Sequence, residues 1–313
     1  FLQVLLLSDQ GLVNFEDSSY TVERYQTFYS TLANPIIILF LGGFSLATAA
    51  VKFGLDRRLT RMLLKPFGSR PEAVCLGMML STALLSAFMS NTATTAMMMT
   101  MVVPVIVAMK QGDPFQKGIA LSIPVAANIG GISTPIGSPP NAIALTALRE
   151  LGIQVTFSTW MLLATPLVII MLIIAWRILL FLFPPSGNKI EIDFTERFTW
   201  SKHAILTTGI FAITIILWIT EKLHGISSNV IAFLPITLLP ALGILNQADI
   251  RKYSWEVLWL VAGGISMGIS LKNTGLAEWL ISLIAWDTLG PIGIVIIFGA
   301  AAYSIANLVS NTV

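Results

Sequence analysis

The chain has 313 residues, 55% of them hydrophobic and only 11% charged, with a formal net charge of +2. Soluble domains carry about 25% charged residues, so this composition, with a mean hydropathy of +0.82, excludes an ordinary soluble domain and points to an all-α polytopic membrane protein. A charge so near zero gives no reason to expect a nucleic-acid partner, and Cys75, the only cysteine, excludes a disulfide framework or a cysteine-built metal site.

The sequence opens on Phe1, its first seven residues (FLQVLLL) read as the end of a membrane helix, and it stops on SNTV, so it reads as a fragment cut at both ends, with no signal peptide to identify. Apolar segments follow at about 34–51, 72–109, 115–150, 158–183, 203–220, 228–245, 254–271 and 291–313. Between the first two lie Lys52, Arg57, Arg58, Arg61, Lys65 and Arg70. Leu55, Leu59, Met62 and Leu63 share one helical face there, which predicts an amphipathic helix along the cytoplasmic interface. Further basic residues follow the second segment (Lys110, Lys117) and the fourth (Lys189, Arg197, Lys202), and precede the seventh (Arg251, Lys252). The positive-inside rule then sends 34–51 from outside to inside, makes 72–109 a hairpin that starts and ends inside, and sends 254–271 outward.

Ala73 to Met109 contains no Asp, Glu, Lys, Arg or His, yet its centre reads SAFMSNTATT. The 38 residues of segment 72–109 suit two spans of about 18 or a shorter re-entrant pair, with Ser90 at the midpoint. Ser90, Asn91 and Thr92 are good N-caps, so the helix is expected to break there and restart, offering free N–H groups and about half a positive charge. Broken backbone at membrane depth is tolerated only against protein or a wet cavity. The next segment breaks in the same way at AANIGGISTPIGSPPNAIALTAL (126–148): Gly130-Gly131, Pro135, Gly137 and Pro139-Pro140 cannot share one regular helix, which resumes near Asn141. The helices arriving at Met89 and Gly130 present carbonyls, which with the oxygens of Ser86, Ser90 and Asn91 make a cage suited to an alkali cation. No Asp or Glu lies nearby to relay a proton, which favours Na⁺ over H⁺.

The later segments carry a repeat. LFLGGFSLATAAVKFGL (39–55) aligns with LVAGGISMGISLKNTGL (260–276) at an offset of 221, and Ser90-Asn91-Thr92 with Ser310-Asn311-Thr312 at 220. The orientations above make the repeats inverted, the architecture of many secondary transporters, with the solute near midplane where the repeats meet. Four helix N-termini of about half a charge each sum to about two positive charges, matched to a dianion without Arg or Lys. His203 and His224 stand at opposite ends of segment 203–220, and neither HExxH nor GxSxG occurs, so an enzyme is not expected. An ion channel is the other class that broken helices allow. Trp200, Trp255 and Trp286 near segment ends fit an aromatic belt, and Pro104, Pro166 and Pro235 read as kinks.

SNTATT at 90–95, ANIGGISTPIGSPPNA at 127–142 and the second SNT at 310–312 resemble the divalent-anion:sodium symporter family, over essentially the whole sequence. The resemblance implies a homodimeric, multi-pass carrier in a bacterial inner membrane, with Na⁺ as the coupling ion and a small dianion as substrate, working as an elevator. A C4-dicarboxylate such as succinate is preferred over citrate and sulfate. Residues 1–71 and 186–290 would then be scaffold helices, and 72–185 and 291–313 parts of the moving domain. The first sodium site would use Ser86, Ser90, Asn91 and Gly137. The substrate would meet Ser90, Asn91, Thr92, Ser138 and Pro139 from one repeat and Ser310, Asn311 and Thr312 from the other. A second, partial sodium site would lie at Asn311, with Ala306 where a hydroxyl is expected. The second glycine-proline loop is expected beyond Val313.

Overall fold

The computed structural model describes residues 2–12, 22–187, 189, 201–282 and 290–308. Among them the chain is helical, with no strand beyond one isolated bridge between Ser8 and Glu23. In chain order the α-helices are α1 (Leu2–Leu7), α2 (Tyr25–Ser30), α3 (Pro35–Lys52), α4 (Leu55–Leu64), α5 (Pro71–Ser86), α6 (Asn91–Ala108), α7 (Phe115–Gly130), α8 (Pro139–Glu150) and α9 (Phe157–Leu182). There follow α10 (Lys202–Ile219), α11 (Glu221–His224), α12 (Ser228–Ile231), α13 (Phe233–Ala241), α14 (Gln247–Ile250), α15 (Trp255–Asn273), α16 (Leu276–Ser282) and α17 (Pro291–Leu308). Three helical stretches, Tyr25–Lys52, Phe157–Leu182 and Lys202–Ile219, are long and apolar enough to cross a membrane.

The boundaries follow local chemistry. Pro71 and Pro139 open α5 and α8, where a missing N–H costs nothing. The hydroxyls of Thr156 and Ser201 accept from the N–H groups of Thr159 and Ala204 and so start α9 and α10. Pro235 cannot donate to the Ile231 carbonyl, and the helix divides at Ala232 into α12 and α13. Pro104 and Pro166 lie inside α6 and α9.

The chain forms two compact units, residues 38–254, and residues 1–37 with 255–313. The first is built around α7, which packs against α5, α6 and α9. Met78, Met79, Met98, Ile119, Ile123 and Leu172 are fully buried among these helices. Outward faces stay apolar: Leu163 is 70% and Phe181 86% exposed, as a lipid-facing surface requires. The α4 helix forms as an amphipathic helix, as its spacing predicts. Its buried side chains are Leu55, Asp56, Thr60 and Leu64, while Met62 is 60% exposed. The reason is that α4 packs on α5 and its Thr60 hydroxyl meets the Met98 sulfur, 3.7 Å away, so the protein-facing side is partly polar. Burial raises the Asp56 pKa above the usual carboxylate range.

Two anchors fix the loops of this unit. The Glu221 carboxylate accepts from the Phe157 N–H (3.1 Å) and the Ser228 N–H (3.2 Å), so one side chain serves the starts of α9 and α12. Lys52, the last residue of α3, donates to Asp249 Oδ2 (2.6 Å) and to the Ile244 carbonyl (2.8 Å). Burial pushes the Asp249 pKa up, but the hydrogen bonds from Lys52 and the Asn246 N–H, with the charges of Lys52 and Lys252, win and hold it below its ordinary value. Its stabilisation is therefore present at neutral pH and is lost only as pH falls through that lowered value.

In the second unit, Ser266 of α15 donates to Gln3 of α1, and Asn273 at the end of α15 donates to Glu23 (3.1 Å). The helix order of 35–86 recurs here. A long helix (α3, α15) ends at a left-handed glycine, Gly54 or Gly275, each with φ of 68°, and a short helix (α4, α16) and a proline-led apolar helix (α5, α17) follow. Only glycine adopts that φ without strain. Ser310, Asn311, Thr312 and the Ala306 side chain lie outside the described residues, as do Arg197, Trp200 and Trp286.

The Glu221 clamp gives a direct check. Glu221→Gln leaves one amide oxygen for two N–H donors and removes the charge, an expected cost of about 1–2 kcal/mol. The apparent Tm of the detergent-solubilised protein should fall by a few degrees in scanning fluorimetry.

Candidate functional site

The apolar segment 72–109 is interrupted where the sequence turns polar. α5 ends at Ser86, residues 87–90 leave the helix, and α6 starts at Asn91. Ser90 is extended, and its hydroxyl accepts from the Ala93 N–H at 3.3 Å, so it caps α6 as its residue type predicts. The second interruption lies between Gly130, the end of α7, and Pro139, the start of α8, with Ser138 extended at the N-cap but making no side-chain cap. Each interruption thus leaves one helix end presenting carbonyls and one helix start presenting N–H groups.

The two interruptions touch. The Thr134 hydroxyl donates to the Ala87 carbonyl, tying the second break to the first. Asn141, one turn into α8, donates from Nδ2 to the carbonyls of Gly131 and Thr134, both at 2.8 Å, and closes the second loop on itself. Trp160 Nε1 donates to the Ile132 carbonyl at 2.9 Å. A Cβ on Gly131 would lie 2.5 Å from Asn91 Oδ1, one on Gly130 would run into the Ala83 backbone, and one on Gly137 into the Gly131 carbonyl. The glycines are therefore required for this approach.

Ser86, Asn91 and Asn128 form a polar row across the ends of three helices. Ser86 Oγ donates to Asn91 Oδ1 at 2.7 Å, and Asn91 Nδ2 donates to Asn128 Oδ1 at 3.2 Å. Ser86 is buried, Asn91 half-buried and Asn128 exposed, so the row runs from the interior to an accessible edge. Three polar oxygens in a row, beside helix ends and away from any carboxylate, are hard ligands of the sort an alkali cation takes, while the starts of α6 and α8 suit an anion. Among the described residues no cluster of His, Cys, Asp or Glu could hold a metal.

Of the residues singled out from sequence, Ser86, Asn91 and Gly137 come together around Gly131. Ser90 is half-buried at the cap, Thr92 is exposed on the first turn of α6, and Ser138 and Pro139 are half-buried at the start of α8. Sequence reasoning did not single out Asn128, Thr134 and Asn141. All three stand inside the glycine-proline stretch 127–142, and their residue types were the available signal. Thr94, one turn into α6, is fully buried, and its hydroxyl has no hydrogen-bond partner among the described residues.

Comparison with known proteins bears on what such a site serves. The family model described as "Citrate transporter" matches residues 4–313. An uncharacterized transporter of Schizosaccharomyces pombe is 28% identical over 302 residues, covering 93% of this chain and 34% of its own length. The inorganic phosphate transporter PHO87 of Saccharomyces cerevisiae is 29% identical over 293 residues, covering 90% of this chain and 31% of its own. The sodium-dependent dicarboxylate transporter SdcS of Staphylococcus aureus is 29% identical over 322 residues, covering 90% and 62%. The chain thus spans between 31% and 62% of the length of these relatives.

The glycine contacts separate packing from site chemistry. Gly130→Ala meets backbone and should abolish monodisperse elution in size-exclusion chromatography. Gly131→Ala meets only the movable Asn91 amide, and should leave elution intact while displacing Asn91 and reducing solute binding at least tenfold, about 1.4 kcal/mol; unchanged binding would show that the Asn91 position is not critical.

Proposed function

We propose, from the premise that this chain belongs to the citrate-transporter family matched over residues 4–313, that its two helix interruptions form part of the solute site of a sodium-coupled symporter. The family consists of membrane transporters, and the chain is not an enzyme. The substrate in this reading is a small divalent organic anion, with a C4-dicarboxylate such as succinate preferred. The observation that carries it is the Ser86–Asn91–Asn128 row across the ends of α5, α6 and α7, with no ionised side chain in it. Backbone dipoles hold the dianion, and neutral oxygens hold Na⁺ beside it. Binding the two together is favourable because each screens the other's charge, which is the physical basis of coupling.

In this reading Ser90, Asn91, Thr92, Ser138 and Pro139 contact the substrate, and Ser86, Ser90, Asn91 and Gly137 the first Na⁺. Ser310, Asn311 and Thr312 supply the second half of the site, with a second Na⁺ at Asn311. The repeated helix order of α3–α5 and α15–α17 supports a repeat; its inversion, from the positive-inside rule, goes in this reading with an elevator movement in a homodimer within a bacterial inner membrane. The name of the SdcS relative favours dicarboxylate and sodium. The name of the PHO87 relative gives phosphate as a second reading, since it is also a small oxyanion.

Uptake in proteoliposomes tests this with succinate, citrate, sulfate and phosphate in competition. Sodium-driven succinate uptake is expected, and it should stop when choline replaces Na⁺ at fixed pH. Asn91→Ala should abolish uptake with the apparent Tm and the oligomer unchanged. Equal uptake under a proton gradient alone would refute sodium coupling, and full uptake by the Asn91 variant would refute the site.

A further inference from the structure

A cavity of about 250 Å³ lies in the 38–254 unit and reaches from Met89, Ser90 and Ala93 at the first interruption to Lys52, Asp249 and Lys252. Its walls include Phe44, and Tyr253, whose hydroxyl donates to Ser45 at 2.9 Å. The charged end is built of three groups. Lys52 is held by Asp249 Oδ2 and the Ile244 carbonyl, which take two of its three N–H donors. Lys252 Nζ stands 4.0 Å from Asp249 Oδ1, too far for a direct hydrogen bond, and its side chain is 72% exposed. Two ammonium groups thus face one carboxylate, leaving a net charge of about +1 at this end of the cavity. A cleft with low-dielectric walls and one sign of charge concentrates counter-ions.

We propose that this cavity is a second anion site, in which Lys252, with Lys52 behind it, holds a small dianionic oxyanion, a dicarboxylate or phosphate, on the cytoplasmic side of Ser90. The ligand class rests on the transport reading above. The site itself rests on the cavity and its lysines. An incoming dianion brings the oxygens that Lys252 lacks, and it takes the third donor of Lys52 without breaking the Asp249 pair. Its second negative charge then faces the start of α6, whose N–H groups and dipole lie at the other end of the same cavity.

The test separates this site from the interruption. Purified protein carrying Asn91→Ala is dialysed to equilibrium against radiolabelled succinate and, separately, phosphate, at low and high ionic strength. The expected result is a residual, salt-sensitive anion site in this variant, weakened roughly tenfold by adding Lys252→Glu and restored by Lys252→Arg. In the wild-type background, Lys252→Gln should raise several-fold the KM for succinate presented at the cytoplasmic face, with kcat within twofold. Absence of binding of both anions to the Asn91 variant, or binding indifferent to Lys252→Glu, would overturn the proposal. Residual lysine-dependent binding without sodium-driven uptake by the wild type would instead sink the transport reading and leave the second site standing.

Discussion

Backbone interrupted inside an apolar segment governs the rest of this structure. At membrane depth an unpaired N–H or C=O costs several kcal/mol, because no water replaces the lost helical bond. The protein answers this with side chains of its own. Thr134 satisfies Ala87, Asn141 satisfies Gly131 and Thr134, and Trp160 satisfies Ile132. These bonds fall on the carbonyl side of the breaks, where helices end. On the N–H side, where α6 starts, the Ser90 hydroxyl accepts from the Ala93 N–H. The unequal treatment gives the breaks a polarity: loop carbonyls are tied into the protein by side chains, while the start of α6 carries one side-chain cap.

Close approach makes this answer possible. Gly130 lets α7 lie against the Ala83 backbone of α5, and Gly131 admits the Asn91 amide. With a side chain at Gly130, Thr134 and Ala87 would be held apart and the carbonyls between them would need water, whereas one at Gly131 would displace the Asn91 amide. Packing and polar satisfaction are therefore one requirement here, met by the same short stretch of chain.

The parts of this arrangement legible in the sequence were those set by local chemistry. Ser90 caps a helix because its hydroxyl reaches its own backbone, and Gly130-Gly131 with Pro135 and Pro139 cannot continue one, so both breaks could be placed from the residues alone. The helix order shared by α3–α5 and α15–α17 has a local cause in Gly54 and Gly275, which each end a long helix in a conformation that other residues resist. Partners brought from a distance were not legible. Asn128 and Thr134 act on residues tens of positions away, and no periodicity marks them. The polar contacts of α4 were hidden for the same reason: its amphipathic spacing is local, but the packing on α5 and Met98 that buries Asp56 and Thr60 comes from distant parts of the chain.

The division of charge between cavity and interruption has a physical logic. An ammonium group at the interruption would bind a dianion strongly but would carry a large desolvation penalty whenever the site was empty. A helix start carries its partial charge permanently, in groups already fixed by the fold, and loses nothing when the solute leaves. Near water the balance reverses. There Lys252 stays hydrated when unliganded, and its full charge acts over about a Debye length, farther than a helix terminus, whose field fades within a turn. On the transport reading, full charges placed where water can relax around them, and partial charges where it cannot, would give an anion a continuous path of attraction with no step deep enough to trap it.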